Sequence, residues 1–287
     1  MTNAQAWVAP LTAFAGFAIA RVVLPIRIRR APEALVRVNV EGRPVPAVLA
    51  DPLLAGGIVA LAGLAAVAAL EPEVAFPRTF LAVGVIAVAL GSAGRWDDLR
   101  GDEIERGFKG HLRAASRGTL TGGGVKIVAG AAAGLLAGAV VAHGWTVLEV
   151  GVLVALTANL LNLLDRAPGR AGKVTVAVGV VLAAFGSVRW TLGAAGLMGA
   201  LVACLPADLR ARAMLGDAGA NPLGGVLGLG LALTLARPGR LAAIAMLVAL
   251  TGLSERYSFS AAIERTPLLR TLDMLGRGRS RGESQGK

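Results

Sequence analysis

Apolar residues in this chain come in long runs rather than at the three-and-four spacing of a helix half-buried in a soluble core. Nine runs, roughly 6–24, 51–70, 76–94, 123–142, 147–164, 173–188, 191–207, 220–236 and 240–254, each carry at most one charged residue. Crossing a bilayer takes roughly 17–25 predominantly apolar residues. The pattern therefore predicts an all-α, polytopic transmembrane helical bundle of about nine spans. The two runs beside Arg189-Trp190 are short and almost touch, which fits either a helix pair with a tight turn or a broken helix. No soluble stretch of any size separates the runs, so 1–254 reads as one transmembrane unit. A basic tail, 255–287, follows, and its Gly-, Ser- and Arg-rich end from Leu275 reads as disordered.

Charge sharpens this picture. Only 16% of residues are charged, against roughly a quarter in a soluble domain. The net charge of +11 would suggest nucleic acid in a soluble protein. Here the basic residues flank the apolar runs instead, so nucleic acid is not an expected partner. With the N-terminus outside, alternate connections hold 24 of the 29 Lys and Arg residues. By the positive-inside rule the N-terminus is then outside and the C-terminus cytoplasmic, in the cell (inner) membrane. The tail can lie on anionic lipid or serve as a simple positive flank. The 39 glycines suit close helix packing in lipid. A single cysteine, Cys204, excludes a disulfide framework or a cysteine metal site. No basic stretch precedes the first apolar run, so a cleaved signal peptide is not expected.

Every connection with unusual polar content falls on the inner side. The first is Arg95-Trp96-Asp97-Asp98. Two carboxylates at the end of a span are costly at that depth; they can hold a divalent cation or act as a base, or be a solvated acidic pair. The second is Asn159-x-x-Asn162-x-x-Asp165, a polar stripe along the last turns of a span. It points into an aqueous cleft or makes interhelical hydrogen bonds. The third is Gly216-Asp217-Ala218-Gly219, where a carboxylate opens a helix. Asp217 can face a ligand, cap the helix, or do both. Lys109, Lys126 and Arg43 join these acids on the inner side. Acid groups for Mg²⁺ and basic groups for phosphate oxygens are the usual kit for phosphoryl transfer.

At these motifs the sequence resembles the polyprenyl-phosphate N-acetylhexosamine-1-phosphate transferases, a family that includes phospho-N-acetylmuramoyl-pentapeptide transferase. Asp97-Asp98, Asn159-x-x-Asn162-x-x-Asp165 and Gly216-Asp217-x-Gly219 match in order and in membrane side. Arg43-Pro44-Val45-Pro46 is similar to the family's early inner-loop motif. The resemblance covers about 40 to 265. It implies Mg²⁺-dependent transfer of a phospho-sugar from a UDP-sugar to a polyprenyl phosphate, with release of UMP, in cell-envelope glycan synthesis. It implies that Asp217, with Asp98, holds the metal, and that Asp97 and Asp98 assist it or activate the lipid phosphate. Asp165 would lie beside the reacting phosphates. Asn159 and Asn162 would bind the nucleotide-sugar or orient Asp165, and Lys126 and Arg43 stand at basic positions similar to the family's; Lys109 and His111, on the same inner loop, are further candidates to bind substrate. A homodimer is an admitted assembly.

The chain departs from the family after Asp165, where Arg166-Ala167-Pro168-Gly169-Arg170 replaces a Gly-x-Asp-Gly pattern. It also lacks the late histidine-rich motif; the two histidines are His111 and His143, and His143 reads as an inert outer-loop residue. The alternative is a non-catalytic relative that binds the lipid carrier or recruits envelope enzymes. A transporter is a weaker third reading, because the charges sit at one face and no inverted repeat is visible.

Overall fold

A computed structural model describes residues 3–39, 42–70, 78–100 and 122–277. Among them the chain is almost entirely helical. Each of the nine apolar runs coincides with one long helix: α1 (Asn3–Arg29), α2 (Ala50–Leu70), α3 (Arg78–Arg100), α4 (Gly122–Val141), α5 (Trp145–Leu164), α6 (Arg170–Phe185), α7 (Val188–Leu209), α8 (Asp217–Thr234) and α9 (Arg237–Ser254). Two short helices follow, α10 (Phe259–Arg265) and α11 (Pro267–Met274). Four helices, α1, α3, α5 and α7, are long and apolar enough to cross a membrane. Large apolar side chains such as Phe14, Leu136, Val152 and Val248 are exposed around the bundle. So much apolar surface is foreign to a soluble monomer. The chain is built as a membrane protein.

Helix α8 sits at the centre, with most of its residues buried from Ala218 to Ala232, packed against α3 and α5. Helix α7 packs on α1 and α2. The Arg189-Trp190 region resolves as the tight-turn pair. Gly186 ends α6, Ser187 opens α7, and Trp190 is fully buried with its indole N–H donating to the carbonyl of Val226, 2.7 Å away. A buried indole needs such an acceptor.

Two boundaries shift. The stretch from Arg95 was expected to be loop, yet α3 continues to Arg100, so Asp97 and Asp98 stand on a helix. Helix α1 likewise runs past Leu24 to Arg29. Both extensions are held by ion pairs: Asp51, in the first turn of α2, accepts from Arg27 (2.6 Å) and also pairs with Arg95.

The all-α expectation needs one addition. Val36–Val38 (β1) and Pro44–Pro46 (β2) form a small antiparallel hairpin, with Arg37 opposite Val45. Backbone bonds extend it: Met214 N–H donates to Pro46 (2.9 Å) and Leu49 N–H to Met214 (3.1 Å). The hairpin thereby ties the α2 entry to the loop before α8. The buried residues of this junction, Val45 in the hairpin, Ala47, Val48 and Leu49 after it and Leu215 in the loop before α8, are at most 2% exposed.

Candidate functional site at one end of the bundle

The end where α3, α5 and α7 finish and α2, α6 and α8 begin carries most of the buried charge. The opposite end is simpler. Trp7 and Trp145 are exposed there, as interfacial aromatics are. Its ion pairs among the described residues join Glu149 of α5 to Arg240 (2.6 Å) and Arg237 (3.0 Å) of α9.

At the charged end, the start of α8 is the focus. Gly216 precedes the helix with φ +65°, a conformation glycine adopts without strain. A Cβ there would meet the Asp98 carboxylate at 2.9 Å. The first N–H groups of a helix lack partners within it and carry its positive dipole end. Side chains from two other helices supply the acceptors. Asp98 Oδ1 accepts from the Asp217 N–H and Oδ2 from the Ala218 N–H, both at 3.0 Å. Asp165 Oδ2 accepts from the Gly216 N–H at 2.9 Å. Asp217 itself is the first residue of the helix and Gly216 its cap, so Asp217 does not fill the capping role. Helix α3 can come this close because Gly94 has no side chain: a Cβ would lie 2.4 Å from the Asp217 carbonyl group.

Asp98, Asp165 and Asp217 therefore gather around one turn. Asp98 and Asp165 are 5% and 6% exposed. Burial, then repulsion from Asp208 and Asp217, pushes the Asp165 carboxyl well above the ordinary carboxylate range; the Gly216 N–H opposes this. Asp97 is half-buried and projects about 100° around α3 from Asp98, so the adjacent acids do not act as a side-by-side pair. Arg37 of the hairpin donates to the Asp98 carbonyl.

The Asn-Asn-Asp stripe divides. A three-residue step falls short of a full helical turn by about 60°, and Asp165 lies just past the helix with ψ 38°. Asn159 is exposed and donates to Thr251 Oγ1 of α9 at 3.5 Å, the interhelical alternative. Asn162 is half-buried, and its carbonyl accepts from the Asp165 N–H. Arg43 is exposed at the hairpin, its N–H donating to Asn39 Oδ1 at 3.0 Å. Lys109 and His111 lie outside the described residues, as does the side chain of Lys126.

Two acids not singled out from the sequence belong to this end. Asp51 bridges Arg27 and Arg95. Asp208, in the last turn of α7, is 2% exposed. Each is a carboxylate at the end of an apolar run, the signal that marked Asp165. Asp165 and Asp208 line a narrow, open cleft with Asn39, Arg166 and Met214, whose volume of about 10 Å³ has room for about one water molecule. A typical ligand pocket of roughly 300–1,000 Å³ is far larger, so the cleft in this conformation takes no nucleotide-sized ligand.

A divalent cation has a limited protein set to use here. Among the described residues no three His, Cys, Asp or Glu side chains are grouped as a metal site, and both Asp98 oxygens already accept helix N–H groups. Each carboxylate oxygen has a second lone pair, however, and Mg²⁺ is commonly held by one or two carboxylates plus substrate phosphates. Asp217 and Asp98 fit that limited role. No family model matches the chain, and no curated protein matches it in sequence.

Proposed function

We propose that this chain is a nine-span protein of the cell (inner) membrane, N-terminus outside and C-terminus cytoplasmic, that transfers a phospho-sugar from a UDP-sugar to polyprenyl phosphate with release of UMP. The observation that carries this reading is the meeting of Asp98, Asp165 and Asp217 around the start of α8, at the end of the bundle where basic residues concentrate. Mg²⁺, held by Asp217 and Asp98 together with substrate phosphates, would supply charge neutralisation during transfer. Asp165 and Asp97 serve the reacting phosphates. Arg43, Lys109, Lys126, His111, Asn159 and Asn162 bind the two substrates. The helix dipole at α8 is already neutralised by two carboxylates, so phosphate recognition falls to guanidinium and ammonium groups. Purified protein given polyprenyl phosphate and a panel of UDP-sugars should release UMP only with Mg²⁺, and Asp217→Asn should abolish the release. No release from any donor, beside a working control enzyme, refutes the reading.

A second reading has its own support. Asp98 and Asp165 act as helix caps, and no three-ligand metal set is grouped among the described residues. Such a chain could bind the lipid carrier or recruit envelope enzymes without turnover. Full function of Asp217→Asn in a cellular complementation assay would favour it.

A further inference from the structure

Helices α10 and α11 lie after the last long helix, and nothing in the transfer reaction uses them. Ser258 caps α10 with its side chain, and Pro267 opens α11. The pair is fastened to the charged end of the bundle. Asp273 of α11 receives a two-pronged bond from Arg170 of α6, Nε to Oδ1 and Nη2 to Oδ2, both 2.8 Å. Arg277 reaches Asp273 at 2.6 Å. Ser260 of α10 accepts from Arg170 at 2.9 Å, and Lys173 donates to the carbonyl groups that end α11. The charged groups of Arg170, Asp273 and Arg277 are each at most 10% exposed.

One outward side of α11 is apolar. Leu268, Leu269, Leu272 and Leu275 share one side of α11 by helical spacing, and they are 70%, 43%, 54% and 66% exposed. Arg270 lies on the opposite side of α11 and Arg265 at the end of α10, and both are exposed. Only four residues, 255–258, separate α9 from α10, a reach of about 14 Å when fully extended. Arg170 is six residues past the end of α5, one of the helices able to cross a bilayer. Tethered at both points, α11 cannot leave the level at which the bundle meets its boundary.

We propose that α11 is an interfacial anchor: its leucine face enters the acyl boundary of the leaflet at the acidic site's end, and its arginines rest among anionic headgroups. An apolar face with flanking arginines is the pattern such helices use. This rests on the membrane-embedded reading of the bundle and is independent of the transferase reading.

The test places a nitroxide label, by a single cysteine in a Cys204→Ala background, at Leu272, Arg270 or Val152 of the full chain, reconstituted in nanodiscs of phosphatidylcholine with or without phosphatidylglycerol. Collisions with oxygen, which concentrates in lipid, are compared with collisions with a water-soluble nickel chelate. Expected is a Leu272→Cys label open to oxygen and shielded from nickel, an Arg270→Cys label with the reverse bias, and deeper Leu272 insertion when phosphatidylglycerol is present. A Leu272→Cys label as open to nickel as the Arg270→Cys label overturns the proposal. So does shielding from both reagents, which indicates a second copy or another protein on this face, and so does insertion indifferent to anionic lipid. The Val152→Cys label, on exposed α5 surface, reports whether the bundle itself is embedded. None of the readouts depends on turnover.

Discussion

Replacing Asp98 and Asp97 one at a time separates two neighbours that the sequence presents as a pair. Asp98 satisfies two helix N–H groups from a buried position, and a hydrogen bond to a charged group is worth about 1.5–3 kcal/mol net. Asp98→Ala removes both, a loss of roughly 3–6 kcal/mol. Water entering the vacated space can serve one N–H in part, which brings the expectation to about 2–5 kcal/mol. Asp98→Asn keeps one acceptor oxygen and turns an amide donor toward the other N–H, so about half the loss is expected. Asp97→Ala, on a half-buried face of α3, should stay within about 1 kcal/mol. Denaturation midpoints in mild detergent, with hydrogen exchange at the amides of residues 216–218, measure all three. Equal shifts for Asp97→Ala and Asp98→Ala would refute the capping account, as would an Asp98→Asn protein as stable as its parent.

Three further predictions follow from local geometry. Ala211 ends α7 with φ +50°, and the Arg212 N–H closes back on the Ala207 carbonyl, a helix ending that glycine fits best; Ala211→Gly should raise stability by about 0.5–1 kcal/mol, read as a higher melting temperature, and an unchanged or lower one counts against the assigned strain. Gly94→Leu should force α3 off the start of α8, costing at least about 1–3 kcal/mol, with 216–218 losing exchange protection first; retained protection contradicts the close approach. For Asp273, burial raises the carboxyl pKa, but Arg170 and Arg277 outweigh it and hold it below the ordinary value of 3.8. A lowered folded pKa gives stability that is present above the unfolded value and lost as pH falls through the folded one. Limited proteolysis of the tail should thus stay slow at neutral pH and rise only below the ordinary carboxylate range, while Asp273→Asn should be cleaved quickly at every pH.

The positions of the nine long helices were legible because each apolar run is long and free of competing pattern. Their ends were less so. Nothing in Arg95-Trp96-Asp97-Asp98 says helix, and the turns exist because Asp51 and the start of α8 offer partners that only the folded chain assembles. The hairpin was invisible for a related reason: three residues per strand with prolines at 44 and 46 give no alternation to read. The polar stripe failed as one face because its spacing drifts, sending Asn159 to α9 and Asp165 to α8. Asp51 and Asp208 carried the same signal as Asp165 yet stood outside any recognisable motif. In the tail, Ser258 and Pro267 are ordinary helix-start residues, overshadowed by the basic composition around them.

The capping of α8 also bears on the order in which the protein can be completed. Its first N–H groups are met by Asp98 and Asp165, 119 and 51 residues earlier in the chain. As the chain emerges from the ribosome, those acids arrive first and must stand at the bundle's edge until α8 is made. Interactions that span so much sequence close late and slowly. Helix α8 is therefore the piece that finishes this end of the bundle: Asp51 can already tie α1, α2 and α3 together through Arg27 and Arg95, but until α8 is inserted Asp98 and Asp165 lack their amide partners.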